Sequence, residues 1–292
     1  MTAVVRVGTA DAPDGSVLHR RADGEGPIAL VACNGVGVST FFWRRLAQHF
    51  APTHTFVSWD YRGHGQSPVP SSPDDLTVAL CARDLWTVID RAGFEKAILL
   101  GHSMGAQVIF EAYRQRSASV QALIPMLGAP GKVFQSFIRG GKLEPAFRIL
   151  IEVGATRPQL AEQAVRAIGR LPGVFEAARK LGVIHPDLCP REAFEPYVEH
   201  LMQLDLRGWF ALVRDLFSHD ATDLLPEIRV PALVVAGERD LFVPMQRSRE
   251  MAAKIPGAEL LVLREGSHAA MVEQPELLAL SVEKFLRAHA LA

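Results

Sequence analysis

The chain has 292 residues, 49% of them apolar and 22% charged, the composition of a globular protein with a sizeable core and not of a disordered one. Lys and Arg number 31 against 32 Asp and Glu, a formal net charge of −1, which leaves no electrostatic footprint for nucleic acid. The length suits one large α/β domain carrying an insertion.

Val4 to Val7 and Val17 to Arg21 read as an antiparallel hairpin at a sheet edge, turned by Asp14-Gly15. Short apolar runs at 28–33, 55–59 and 97–100 read as buried strands, each followed by a turn signal and an amphipathic segment at 41–50, 74–92 and 104–116. A fourth strand at 120–126 closes this block. Alternation of this kind implies a mostly parallel sheet with helices on both faces.

From 128 to 225 the strand signal vanishes. Pro130, Pro145, Pro158, Pro172, Pro186, Pro190 and Pro196 punctuate helical periodicity, as in the stripe Phe194, Tyr197, Val198 and Leu201. The expected organisation is an α/β core over 1–127 and 226–292 with an all-helical insertion over 128–225. The α/β rhythm returns with a strand at 232–236, a helix at 245–254, a strand at 259–263 and a last helix at 275–289.

Cys33, Cys81 and Cys189 lie far apart with no CxxC pair, which suits a reducing compartment. No basic stretch followed by an apolar one is found in the first fifteen residues, and the apolar runs are too short to span a bilayer, so a cytoplasmic protein without a membrane partner is expected.

The strongest chemical signal is Gly101-His102-Ser103-Met104-Gly105, set between the strand at 97–100 and the helix that opens at Met104. A G-x-S-x-G turn in that setting is the nucleophile elbow, a turn too sharp for larger side chains that lifts the serine oxygen above the sheet. A serine hydroxyl needs a base, and the base an orienting carboxylate. Asp240 follows the strand at 232–236, and His268 follows the strand at 259–263. Both therefore fall at carboxyl ends of parallel strands, on the sheet edge of Ser103.

With this order of Ser, Asp and His, the chain resembles the α/β-hydrolase fold family over essentially its whole length. The resemblance also rests on Trp59-Asp60-Tyr61-Arg62-Gly63-His64-Gly65-Gln66-Ser67, similar to the family's loop after its fourth strand, and on the run from Val230 to Asp240. It implies an α/β-hydrolase fold in which the insertion is a helical cap. It also implies a serine hydrolase with Ser103, His268 and Asp240 as its triad. Backbone N–H groups of Met104 and Val36 are the expected oxyanion hole. The family's usual His-Gly pair before that second donor is replaced by Asn34-Gly35, as in some enol-lactonase-like members.

Among the other histidines, His102 should face into the structure behind the elbow, and His64 should be structural. His185, His200 and His219 have no metal-ligand spacing. Asp60, Asp220 and Asp223 are the rival acids. Neither a dinucleotide fingerprint, a phosphate loop nor an HExxH helix occurs, so neither cofactor nor metal is expected. The expected partner is a small-molecule ester or lactone. Phe134, Phe137, Trp209 and Phe210 are candidate apolar walls of its pocket, and Arg139 and Lys142 are surface cations.

Overall fold

A computed structural model describes residues 4–132 and 144–292. Eight strands form one sheet: β1 (Val5–Asp11), β2 (Val17–Asp23), β3 (Ala29–Cys33), β4 (Thr55–Trp59), β5 (Ala97–His102), β6 (Val120–Met126), β7 (Leu233–Gly237) and β8 (Glu259–Leu263). Their spatial order is β1-β2-β4-β3-β5-β6-β7-β8. β1 and β2 pair antiparallel, as do β2 and β4, and every later pairing is parallel. The hairpin turns where expected, at Gly15 with φ +84° and its N–H on Ala12 O.

The apolar strand residues divide by parity, because successive side chains leave a strand on opposite faces. Val31, Cys33, Val57, Trp59 and Leu99 join one core, which α2 (Val78–Ala92), α3 (Met104–Gln115) and α9 (Met245–Lys254) cover. Leu30, Ala32, Phe56, Ile98 and Leu100 join the other, covered by α1 (Arg44–Phe50) and α11 (Pro275–Ala288), the latter preceded by the short α10 (Ala270–Glu273). Two helix starts differ from the sequence reading. A 3₁₀ turn at Thr40–Trp43 precedes α1, and α2 begins only at Val78, because the Thr77 hydroxyl caps it by accepting from Leu80 N–H.

Between β6 and β7 lie α4 (Glu144–Thr156), α5 (Pro158–Gly169), α6 (Val174–Lys180), α7 (Arg191–Gln203) and α8 (Leu206–Leu216). Pro158 opens α5 and Pro190 precedes α7, positions where a missing N–H costs nothing; Pro196 sits inside α7. The chain leaves and rejoins the core at one place. Gly131 bridges Asp220, Lys132 N–H donates to His219 O, and Ala221 N–H donates to Pro130 O. Among the described residues no helix is long and apolar enough to cross a membrane.

Candidate active site

The turn after β5 is built by close approach. A Cβ on Gly101 would lie 2.2 Å from Gly105 O, and one on Gly105 would lie 2.2 Å from Cys33 O, so only glycine lets α3 start this near the sheet. Ser103 between them has φ +55° and ψ −117°, a strained conformation for an L-residue. It is held there by Ser103 N–H to Met126 O and by Ala106 N–H to Ser103 O, both 3.0 Å.

His268 Nε2 lies 3.0 Å from Ser103 Oγ, and His268 Nδ1 lies 2.8 Å from Asp240 Oδ2. A carboxylate only accepts, so Nδ1 carries the imidazole proton and Nε2 is left as acceptor for the serine hydroxyl. The other carboxylate oxygen, Oδ1, accepts N–H bonds from Phe242 (2.8 Å) and Val243 (2.9 Å), which fixes its plane. The loops bearing Asp240 and His268 are tied together by Glu238 N–H to Leu263 O and Arg239 N–H to Gly266 O. The Phe242 ring packs against the His268 ring at 4.8 Å.

The candidate oxyanion donors sit at the same edge. Met104 N–H lies in the first turn of α3, where no intrahelical acceptor exists. Val36 lies in the turn after β3, closed by Val38 N–H to Gly35 O. That turn abuts the serine, since a Cβ on Gly35 would come within 3.2 Å of Ser103 Cβ. Asn34 fastens it from below. Its Nδ2 donates to Trp59 O, its Oδ1 accepts from Trp43 Nε1, and its carbonyl accepts from the Tyr61 hydroxyl. In this chain the residue that departs from the family's histidine is thus a fully buried clamp on the turn.

His102 is buried as expected, but it reaches the site through the backbone: its Nε2–H donates to His268 O at 3.1 Å. Burial and the adjacent His268 imidazole lower its pKa to about 3, so it remains neutral and keeps that bond. The rival acids are engaged elsewhere. Asp60 is desolvated, yet donors from His19, Ser39, Gln66 and Thr40 outweigh that and lower its pKa. Asp220 pairs with Lys132, and Asp223 with Arg114. His64 donates from Nδ1 to Arg62 O, and burial lowers its pKa to about 4. His219 Nδ1 meets Gln107 Oε1, and the His200 ring contacts Phe41.

Of the candidate pocket walls, Trp209 is beside the site: a Cβ on Gly37 would lie 3.2 Å from its Nε1 and 3.0 Å from Leu201 Cδ2. Phe210 packs instead within the helical layer, where its ring meets Gly154. Phe134 and Phe137, with Arg139 and Lys142, lie outside the described residues. Sequence reasoning missed Glu273. This buried carboxylate accepts from Ser267 N–H (2.9 Å), Ser267 Oγ–H (2.6 Å) and His185 N–H (2.7 Å), anchoring the residue before His268. Its only signal is a lone acid after the apolar run Ala269 to Val272.

An elbow serine, a histidine and a carboxylate in relay at the carboxyl ends of parallel strands define a hydrolase of the α/β type. Consistent with this, residues 30–280 match the model of the alpha/beta hydrolase family, and the chain belongs to that family. It is 25% identical over 260 residues to a protein of Pseudomonas savastanoi pv. phaseolicola named "Putative carbamate hydrolase RutD", covering 88% of this chain and 93% of the relative. A protein of the same name from Escherichia coli is 27% identical over 248 residues, 85% of this chain and 86% of the relative. Among solved structures, an esterase from Exiguobacterium antarcticum superposes with a TM-score of 0.76 at 20% identity, covering 97% of this chain and all of that one. The enol-lactonase from Burkholderia xenovorans LB400 superposes with 0.74 at 22%, covering 96% and 100%. These two likenesses speak to the fold.

Proposed function

We propose that the chain is a serine hydrolase that cleaves small-molecule carboxylic esters through an acyl-enzyme. The relay Ser103 Oγ–His268 Nε2–Asp240 Oδ2, at 3.0 and 2.8 Å, is the observation that carries this reading. His268 Nε2 takes the hydroxyl proton as Ser103 Oγ attacks the carbonyl carbon, and the Met104 and Val36 N–H groups receive the oxyanion. Asp240 stabilises the imidazolium. Nε2–H then passes its proton to the departing alkoxide, which leaves as alcohol. Water deprotonated by the same nitrogen attacks the acyl-serine, and the acid is released as Ser103 regains its proton.

We take residues 128–225 to be a cap over this centre, with Trp209 and Leu201 bringing apolar surface to the Gly37 turn. A roofed apolar pocket bounds the acyl group, so small to medium neutral acyl chains are favoured. Each methylene that fits adds about 1 kcal/mol of transition-state binding, and the first that does not fit removes as much. The relatives named as carbamate hydrolases favour a second reading, attack on a carbamate carbonyl by the same serine. Initial rates across p-nitrophenyl esters of rising acyl length, with lactones and aryl carbamates alongside, separate the readings. Ester rates that peak at a short or medium chain are expected. Rates climbing steadily to long-chain triglycerides at an oil–water interface would contradict the roofed pocket, and the absence of a fluorophosphonate adduct on Ser103 would contradict the nucleophile.

A further inference from the structure

The main chain around His268 is gripped by groups outside the triad. Glu273 Oε2 accepts Ser267 N–H at 2.9 Å, and Glu273 Oε1 accepts both Ser267 Oγ–H at 2.6 Å and His185 N–H at 2.7 Å. Ser267 Oγ in turn accepts Ala269 N–H at 3.0 Å. The residues on either side of His268 are therefore fastened to one carboxylate, while the His268 carbonyl accepts from His102 Nε2–H. Ser267, Glu273 and His185 are all buried, and a carboxylate is tolerated away from water only when donors occupy its oxygens.

One of the three donors comes from the helical segment. His185 lies between α6 and α7, and its Nδ1 accepts N–H from Asp187 at 3.0 Å and Leu188 at 3.1 Å, which fixes the turn that aims its own N–H at Glu273. The ring proton is then on Nε2, 3.5 Å from Glu265 Oε2. Apolar contact follows the same path: Ala269 and Val272, just after the base, pack against the cluster that holds Phe175, Ile184 and Phe194. We infer that Glu273 is a positioning residue for the base, and that it sets His268 against the helical segment through the N–H of His185. The inference rests on the serine-hydrolase reading given above. Asp240 fixes how the imidazole is turned, and Glu273 fixes where its backbone stands. Proton transfer needs both, because a displacement of about 1 Å at a reacting group costs on the order of 100-fold in rate.

Glu273→Gln tests this at nearly constant volume, so a side chain that only filled space would tolerate it. The amide has one oxygen and one NH₂, and either placement sets the NH₂ against a backbone N–H, that of Ser267 or that of His185. In both, Ser267 loses a bond. Per folded enzyme, kcat on p-nitrophenyl butyrate and the rate at which a fluorophosphonate labels Ser103 should each fall at least about tenfold, with KM nearly unchanged. His185→Ala removes the acceptor that shapes its turn and should lower both rates at least about threefold. The double variant should lie within about twofold of Glu273→Gln, because the two act through one carboxylate. If Glu273→Gln does not fold, Ser267→Ala, which keeps the N–H and loses the hydroxyl, should lower both rates at least about threefold. A wild type that takes up no fluorophosphonate overturns this inference together with the serine reading. A labelled wild type overturns this inference alone if Glu273→Gln, or Ser267→Ala in its stead, keeps wild-type kcat and labelling. Wild-type rates in His185→Ala, or losses that multiply in the double variant, overturn the link to the helical segment.

Discussion

Asp240→Asn is the sharpest test of the proposed relay, because the structure dictates how the amide must sit. Oδ1 receives two backbone N–H groups, from Phe242 and Val243. The asparagine oxygen has to stay there, since an NH₂ group in its place would confront two donors. The NH₂ is then forced to the Oδ2 position, 2.8 Å from His268 Nδ1. Imidazole can answer only by offering Nδ1 as acceptor and carrying its proton on Nε2, which faces Ser103 Oγ at 3.0 Å. The serine then meets a donor and has no base. Turnover should fall about 10⁴-fold, or ~5.5 kcal/mol in the barrier, with KM nearly unchanged because the pocket is untouched. Initial rates on p-nitrophenyl butyrate, normalised to folded enzyme by circular dichroism, give the number. An Asp240→Asn enzyme within about tenfold of wild type, or an equal collapse in Asp220→Asn or Asp223→Asn, would refute the assignment of the orienting acid.

Ser103→Ala should lower turnover by on the order of 10⁶ while leaving the melting temperature in place, and a folded variant that keeps most activity would remove Ser103 as nucleophile. Gly105→Ala should cost about 3 kcal/mol or more in urea unfolding, because its methyl would meet the Cys33 carbonyl at 2.2 Å. A wild-type midpoint would show that the elbow can relax. Acid should weaken the fold through two buried histidines. His64 and His102 have native pKa values of about 4 and 3, below the ordinary 6.5 they regain on unfolding. The unfolded chain therefore binds more protons between those limits, and stability, complete above pH 6.5, is lost as pH falls through that window. By pH 5 each contributes a loss of about 2 kcal/mol, and burial of His200 and His219 acts in the same direction. Urea midpoints at pH 7 and pH 5 measure this, and His64→Phe should flatten the difference; an unchanged slope in that variant would count against it.

Local elements were legible where an apolar run is bounded by turn residues: the strands at 55–59, 120–126 and 259–263 and the helix at 245–254 match to the residue. The positions of Ser103, Asp240 and His268 after strands were legible for the same reason, since each follows a short, mainly apolar run. What escaped depends on contacts far apart in the chain. Nothing near Asn34 announces that Trp43 and Trp59 would close on its two amide ends. Glu273 reads as an ordinary surface acid until Ser267 and His185 are folded onto it. His102 was legible as buried, yet its bond to the His268 carbonyl joins residues 166 positions apart. Trp209 and Phe210 look equivalent in sequence. Their neighbouring places on α8 point them apart, so one meets the Gly37 turn and the other fills the helical layer against Gly154.

The bridge between Gly131 and Asp220 gives the helical segment an economy of attachment. Because departure and return lie side by side, the sheet meets the intervening chain as though it were a single tight loop, whatever its length. Closure entropy grows only slowly with the number of residues enclosed, so helices can be added, lost or replaced between these two points with little consequence for the strands that hold Ser103, Asp240 and His268. Away from the contact at His185, the helical segment and the strands bearing these three residues can then vary as separate inheritances on one chain.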